Sequence, residues 1–137
     1  WLGHQFREAS SGSKWITMHV RSQDIEWQVY NYAARVNLTA ARMSISMGGP
    51  QIMGFNYPII GFSNAHEMFD AFNGSERNQV IGFFDFVKGT RTPSVRLEAL
   101  QNLDFVAFAR QYNGSGQAAK YGGLIKSVFD IFHQLTD

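Results

Sequence analysis

Cysteine is absent from all 137 positions. That excludes structural disulfides, thiolate metal sites and a cysteine nucleophile. The absence fits reducing and oxidising compartments alike. Charge is sparse as well: charged residues make up 17% of the chain and the formal net charge is +1. So small a net charge argues against a nucleic-acid-binding domain and gives no strong pull toward a membrane surface. No run of about 18 apolar residues occurs, so no membrane insertion is expected. No signal peptide is visible at the start. There is no P-loop, no dinucleotide fingerprint and no Gly-x-Ser-x-Gly elbow, so nothing supports nucleotide binding or serine acyl transfer. The four histidines, His4, His19, His66 and His133, lack ligand spacing such as H-x-x-x-H, and no metal or other cofactor is expected.

What the chain does have is apolar and aromatic. Apolar residues make up 45%, with twelve Phe, five Tyr and three Trp. This is a folding composition, and its length suits one domain with a real core. The first residues, Trp1-Leu-Gly-His4, carry no initiator Met, which suggests a fragment or a processed product.

The pattern predicts an all-α chain of about seven short helices, in a single domain over 1–137 with 1–21 irregular and 22–137 helical. Trp1 and Trp15 read as anchors of the irregular part. Ser22 opens a helix to about Val36, with Ile25, Val29, Ala33 and Val36 as its apolar stripe. A shorter helix starts at Thr39 and stops before Gly48-Gly49-Pro50, a sequence that breaks helices. Ser63 caps a helix through Phe72, closed by Asn73-Gly74. Ser75 opens the next, with Val80, Phe83, Phe84 and Val87 facing inward and Gly89 ending it. Pro93-Ser94 starts a short helix carrying Leu97 and Leu100, and Asp104 caps one that ends at Asn113-Gly114. The last runs from about Gln117 to Leu135, with Leu124, Val128, Ile131 and Phe132 as apolar positions.

Two segments stand apart from this pattern. They are Ser44-Ile-Ser46-Met-Gly-Gly-Pro-Gln51-Ile-Met-Gly-Phe-Asn56-Tyr57 and Phe108-Ala-Arg-Gln-Tyr112-Asn113-Gly-Ser-Gly116. Each puts polar side chains on a glycine-rich turn between apolar stretches, where a backbone can approach a ligand closely. Gln51 sits just past a helix end, flanked by Ile52, Met53 and Phe55. An unpaired amide there is costly, so it bonds either the backbone of the turn or a ligand. Ser46 either bonds the same turn or touches the ligand. Tyr112 reads as a half-buried aromatic or a ligand platform, and Asn113-Gly114 alone is ordinary helix-ending chemistry.

In this order, the two segments resemble the paired glycan-cleft motifs of lysozyme-like lytic enzymes. Gly48 to Met53 is similar to their Gly-x-x-Gln-Ile/Leu-Met segment, and Ala109 to Gly114 to their Ala-x-Tyr-Asn-x-Gly-like segment. With Glu67-Met-Phe-Asp-Ala-Phe72 and Asn78-Gln-Val-Ile-Gly-Phe-Phe-Asp85, the stretch of roughly 22–135 resembles the N-acetylmuramidase domain of phage endolysins and related bacterial proteins. The resemblance implies a lysozyme-like helical fold. It also implies hydrolysis of the β-1,4 bond between N-acetylmuramic acid and N-acetylglucosamine. It casts Gln51, Tyr112 and Asn113 as lining the glycan cleft and peptidoglycan glycan strands as the partner, with Ser46 and Asn56 as further candidate substrate contacts. An attached wall-binding domain, or a phage or cell-wall assembly, would then lie beyond this chain, and the site of action is the bacterial wall.

Glycoside hydrolysis needs a protonated carboxylic acid beside the scissile oxygen, and a second carboxylate or placed water opposite. The family's acid lies in a Glu-Ser-Gly-like segment upstream of the Gln motif. This chain offers Arg7-Glu8-Ala-Ser-Ser-Gly12, a superficial match. Three readings stay open: the chain begins after the acid, Glu8 replaces it, or the domain only binds glycan. The first is favoured, which makes the domain one that lacks its N-terminal part. Glu26, in the first turn of the 22–36 helix, suits either a helix start or a second carboxylate. The alternatives to a hydrolase are a lytic transglycosylase, a non-catalytic peptidoglycan-binding module, and a structural module that keeps the fold.

Overall fold

The computed structural model describes residues 3–7, 12–18, 22–92 and 94–136. They fall into two compact units, one of residues 1–58 and 62–79, the other of 59–61 and 80–137. Among the described residues there are seven α-helices and two very short hairpins, so the chain is all-α in class.

The first unit opens with β1 (Gln5–Phe6) and β2 (Ile16–Thr17), paired antiparallel with Phe6 opposite Ile16. The sequence reading had this stretch as irregular. Two residues per strand are too few for an alternating pattern to register. Phe6 is buried against the Tyr32 ring, 6.0 Å between centroids. Trp15 lies partly exposed with the Arg7 guanidinium 4.6 Å over its ring, while Trp1 lies outside the described residues.

Helix α1 (Gln23–Val36) follows Ser22, and Asp24 and Glu26 in its first turn complement the helix dipole. None of its residues is fully buried. Its stripe is half-buried at Ile25, Val29 and Ala33, and Val36 is open to solvent. Asn37 ends α1 and caps α2 (Leu38–Ser44), its side chain accepting from the Ala40 amide at 2.9 Å. The cap therefore falls two residues before Thr39. Strands β3 (Ser46–Met47) and β4 (Ile52–Met53) then form the second hairpin, with Met47 opposite Ile52 and both buried. A 3-10 turn over Gly54–Asn56 follows.

Helix α3 (Ala65–Gly74) is capped by Asn64 rather than Ser63. The Asn64 side chain accepts from the His66 and Glu67 amides, and Glu67 reaches back to accept from the Ser63 amide at 2.8 Å. That reciprocal pairing satisfies three amide donors at the helix start. Met68 on α3 is wholly buried, and Ala65, Phe72, Ala41, Met47, Ile52 and Phe6 join it in the apolar interior of this unit. Burying one such side chain contributes about 1.5–3 kcal/mol.

Helix α4 (Glu76–Lys88) begins in the first unit, and from Val80 onward it belongs to the second. Its buried positions are Gly82, Phe86 and Val87, with Phe83 half-buried. Val80 and Phe84, expected to face inward, are exposed. At about 100° per residue, Gly82, Phe86, Phe83 and Val87 span one face about 140° wide, and Phe84 falls about 60° beyond its edge. Ser94 caps α5 (Val95–Gln101): its buried hydroxyl donates to the Val87 carbonyl at 2.6 Å and accepts from the Leu97 amide at 3.2 Å. Asp104 caps α6 (Phe105–Asn113) through the Ala107 amide, and Gly114, at φ +86°, ends it. Val87, Ala99 and Phe108 form a buried cluster joined by Phe83, Leu100, Tyr112 and Ile125.

The last helix, α7 (Ala118–Thr136), packs on α6 through Ala118 and Gly122, both buried, and through Phe129, whose ring lies 5.2 Å from that of Phe105. Its larger apolar positions, Leu124, Val128, Ile131 and Phe132, are exposed. The small residues win the inner face because they let the two backbones approach closely.

Candidate functional site

The turn between β3 and β4 is built from both ends of the Ser46–Gln51 segment. Gly48 has φ +65°, which favours glycine, and a Cβ there would fall 2.6 Å from the Gln79 Oε1 atom, so a larger residue would have to displace the end of that side chain. Gln51 has φ +53°, a left-handed backbone that a side chain rarely adopts. Three bonds hold it there. Its backbone amide donates to the Gly48 carbonyl at 3.1 Å, its Nε2 donates to the same carbonyl at 2.8 Å, and the Ser46 hydroxyl donates to its Oε1 at 2.8 Å. Gln51 and Ser46 thus both bond the turn. One amide proton and one oxygen lone pair of Gln51 still have capacity for a further partner. Strain of this kind costs about 1–3 kcal/mol and persists only where the surroundings over-determine it.

Gln79 straps the turn down. Its Oε1 accepts from the Gly49 amide at 2.8 Å and its Nε2 donates to the Phe72 carbonyl at 2.8 Å. One side chain so joins the turn to the last part of α3. Nothing in the sequence singled out Gln79, because a polar residue in the first turn of a helix is ordinary.

Beside this turn lies a cavity of about 710 Å³ within the first unit. This lies inside the range of about 300–1,000 Å³ common for small-molecule sites. Glu26, Ser46 and Gln51 all line it. The structure therefore brings together three of the residues singled out from the sequence, on α1 and on the β3–β4 hairpin. Asn56, in the 3-10 turn, is half-buried and not among the residues lining this cavity. Glu8 lies outside the described residues.

One wall of the cavity is aromatic. Tyr30 and Phe69 stack at 5.4 Å with their planes 12° apart, and Trp27 meets Tyr30 edge-on at 5.5 Å. Arg42 braces this wall from α2. Its guanidinium lies 4.3 Å over the Phe69 ring, and its Nε donates to the Tyr30 hydroxyl at 3.4 Å. Its Nη2 pairs with Asp70 at 3.3 Å, and its Nη1 lies 3.1 Å from His66 Nδ1. Arginine only donates, so Nδ1 accepts, and His66 Nε2 donates to the Thr39 hydroxyl at 2.9 Å.

In the second unit, Tyr112 is half-buried among the rings of Phe83, Phe86 and Phe108, at 5.9, 5.2 and 5.6 Å. Burial pushes its phenol up to about 12, and the Arg96 guanidinium opposes that rise. Arg96 lies 4.1 Å over the Phe86 ring and its Nε donates to the Phe86 carbonyl at 2.7 Å. Burial lowers the Arg96 value, and Tyr112 partly restores it. Asn113 is exposed at the end of α6.

The helical fold is lysozyme-like. It is similar to the crystal structure of Burkholderia AP3 phage endolysin, with 27% sequence identity and a TM-score of 0.72 over 82% of this chain. The chain spans 43% of the length of that endolysin chain. The sequence model of the N-acetylmuramidase family matches residues 3–133, and the chain belongs to that family. No curated protein matches it.

Proposed function

We infer that the chain serves in peptidoglycan hydrolysis as a muramidase, cleaving the β-1,4 bond between N-acetylmuramic acid and N-acetylglucosamine by general acid catalysis. The family membership carries this reading. The cavity chemistry supports it. Among the described residues, its polar lining consists of amides, hydroxyls and the Glu26 carboxylate. Such groups suit a hydroxyl-rich ligand.

In this reading the glycan lies along the strained turn, where Ser46 and Gln51 contact it, with Asn56 as a further contact. Glu26 takes the part of the second carboxylate, which activates water or stabilises the developing oxocarbenium charge. The proton donor to the leaving oxygen is a separate group, and Glu8 is the one this sequence offers. Among the described residues one carboxylate lines the cavity where the chemistry uses two groups, which favours a second reading: a module that binds glycan without cleaving it.

Mass spectrometry of soluble products from purified peptidoglycan separates these. Fragments with reducing muramic acid ends, lost in Glu26→Gln, mean hydrolysis. Fragments with 1,6-anhydro ends mean a transglycosylase. Retention on insoluble wall material without any soluble fragment means a binding module. A folded sample that shows no retention and releases no fragments would refute the glycan assignment.

A further inference from the structure

We propose that Trp27 is a stacking platform for an N-acetylglucosamine ring at the mouth of the Glu26–Gln51 cavity, an assignment that rests on the glycan reading above. Trp27 lines the cavity yet keeps 47% of its surface exposed. It is not a stray surface aromatic, because it ends a braced series. Arg42 backs Phe69, Phe69 stacks on Tyr30, and Tyr30 holds Trp27 edge-on. The indole is therefore oriented before any ligand arrives, which lowers the ordering cost of binding.

The chemistry selects the ligand. A pyranose ring has one face of C–H bonds that packs on a π surface, and a rim of hydroxyls that need hydrogen bonds. Trp27 offers the first. Glu26, the next residue on α1, and Gln23, one turn earlier on the same helix, both line the cavity and offer the second. Among the described residues lining the cavity, amides and hydroxyls outnumber the one charged group, Glu26. N-acetylglucosamine is uncharged, with an acetamido group that can exchange hydrogen bonds with the amides of the lining.

The test is a fluorescence and calorimetric titration of the whole chain with tri-N-acetylchitotriose and, in parallel, with soluble peptidoglycan fragments. Trp1, Trp15 and Trp27 are the three indoles, so Trp27→Phe identifies which of them reports the sugar. The parent is expected to bind chitotriose with a change in indole emission. Trp27→Phe should lose that change but only a few-fold in affinity, since a ring remains. Trp27→Ala should bind at least tenfold more weakly at an unchanged melting temperature, because half of the side chain is already in water. Equal affinity of Trp27→Ala and parent would overturn the platform while leaving the glycan reading intact. Binding of peptidoglycan fragments but not of chitotriose would overturn the N-acetylglucosamine assignment alone. Binding of neither would overturn both.

Discussion

Gly122 and Gly123 are neighbours in the interior of α7, and replacing each with alanine should move stability in opposite directions. Both substitutions gain the same helix propensity, about 1 kcal/mol for alanine over glycine. They differ in what the new methyl meets. At Gly123 nothing lies within 4 Å, so Gly123→Ala should gain the full propensity term. At Gly122 the Cβ would fall 2.8 Å from the Val106 Cα, N and Cγ2 atoms, where ordinary contact starts at 3.4 Å. Two of those three atoms are backbone, so no rotamer change removes the clash, and α6 and α7 must part along their seam. Overpacking of this kind costs about 1–3 kcal/mol, and its backbone character puts it in the upper half of that range. Gly122→Ala therefore nets a loss of about 1–2 kcal/mol, and the two variants differ by about 2–3 kcal/mol. For a chain of 137 residues, 1 kcal/mol moves Tm by about 3.5 °C, so the melts should separate by about 7–10 °C. Thermal unfolding followed by circular dichroism measures this. Val106→Ala added to Gly122→Ala should recover little, since it removes only the Cγ2 contact. A Gly122→Ala melt at or above that of Gly123→Ala, or full recovery by Val106→Ala, would refute the close-approach argument.

Three other outcomes follow from the geometry. Gln79→Ala removes the acceptor of the Gly49 amide and the donor to the Phe72 carbonyl, so it should cost about 1–3 kcal/mol in urea unfolding and weaken glycan affinity through the loosened turn. Unchanged unfolding and affinity would mean that the strap holds nothing. Ser94→Ala leaves the buried Val87 carbonyl and the Leu97 amide without their partner, for an expected loss of about 1–3 kcal/mol, and a loss below half a kcal/mol would contradict it. The Tyr112 phenol is raised from 10.0 in the unfolded chain to about 12 in the fold. The native state then holds the proton more tightly, so the stability this contributes is full below pH 10 and is lost as pH rises to about 12. A phenolate absorbance titration, parent minus Tyr112→Phe, should show that late transition. A difference curve centred at 10 would disprove the burial effect.

The helices were legible in the sequence because each carries its own start and stop. Asp104 and Ser94 cap where expected, Ser22 stands at the N-cap position without a side-chain cap bond, and Gly89 and Gly114, both at positive φ, mark the ends of α4 and α6. Caps are local chemistry, readable over three or four residues. Where two cap residues stood side by side, as at Ser63-Asn64, local chemistry could not choose between them, and the Glu67 side chain decided it. Facing direction was less legible. The exposed Phe84, Val128 and Phe132 show that hydrophobicity alone does not say which side of a helix meets a neighbour.

For the site, the residue types and glycine spacing singled out Ser46 and Gln51, and the family likeness supplied their meaning. That Glu26 lines the same cavity is a fact of packing between α1 and the β3–β4 hairpin. Sequence by itself determined the helical class, the caps at Ser94 and Asp104, the family and the glycine-rich turn, since each depends on residues close along the chain. Tertiary structure alone decided that Gln79 straps the turn, that Arg42 braces an aromatic wall, and that Trp27 ends that wall half-exposed at a cavity. Those contacts join residues tens of positions apart, and no local pattern encodes a distance that only folding creates.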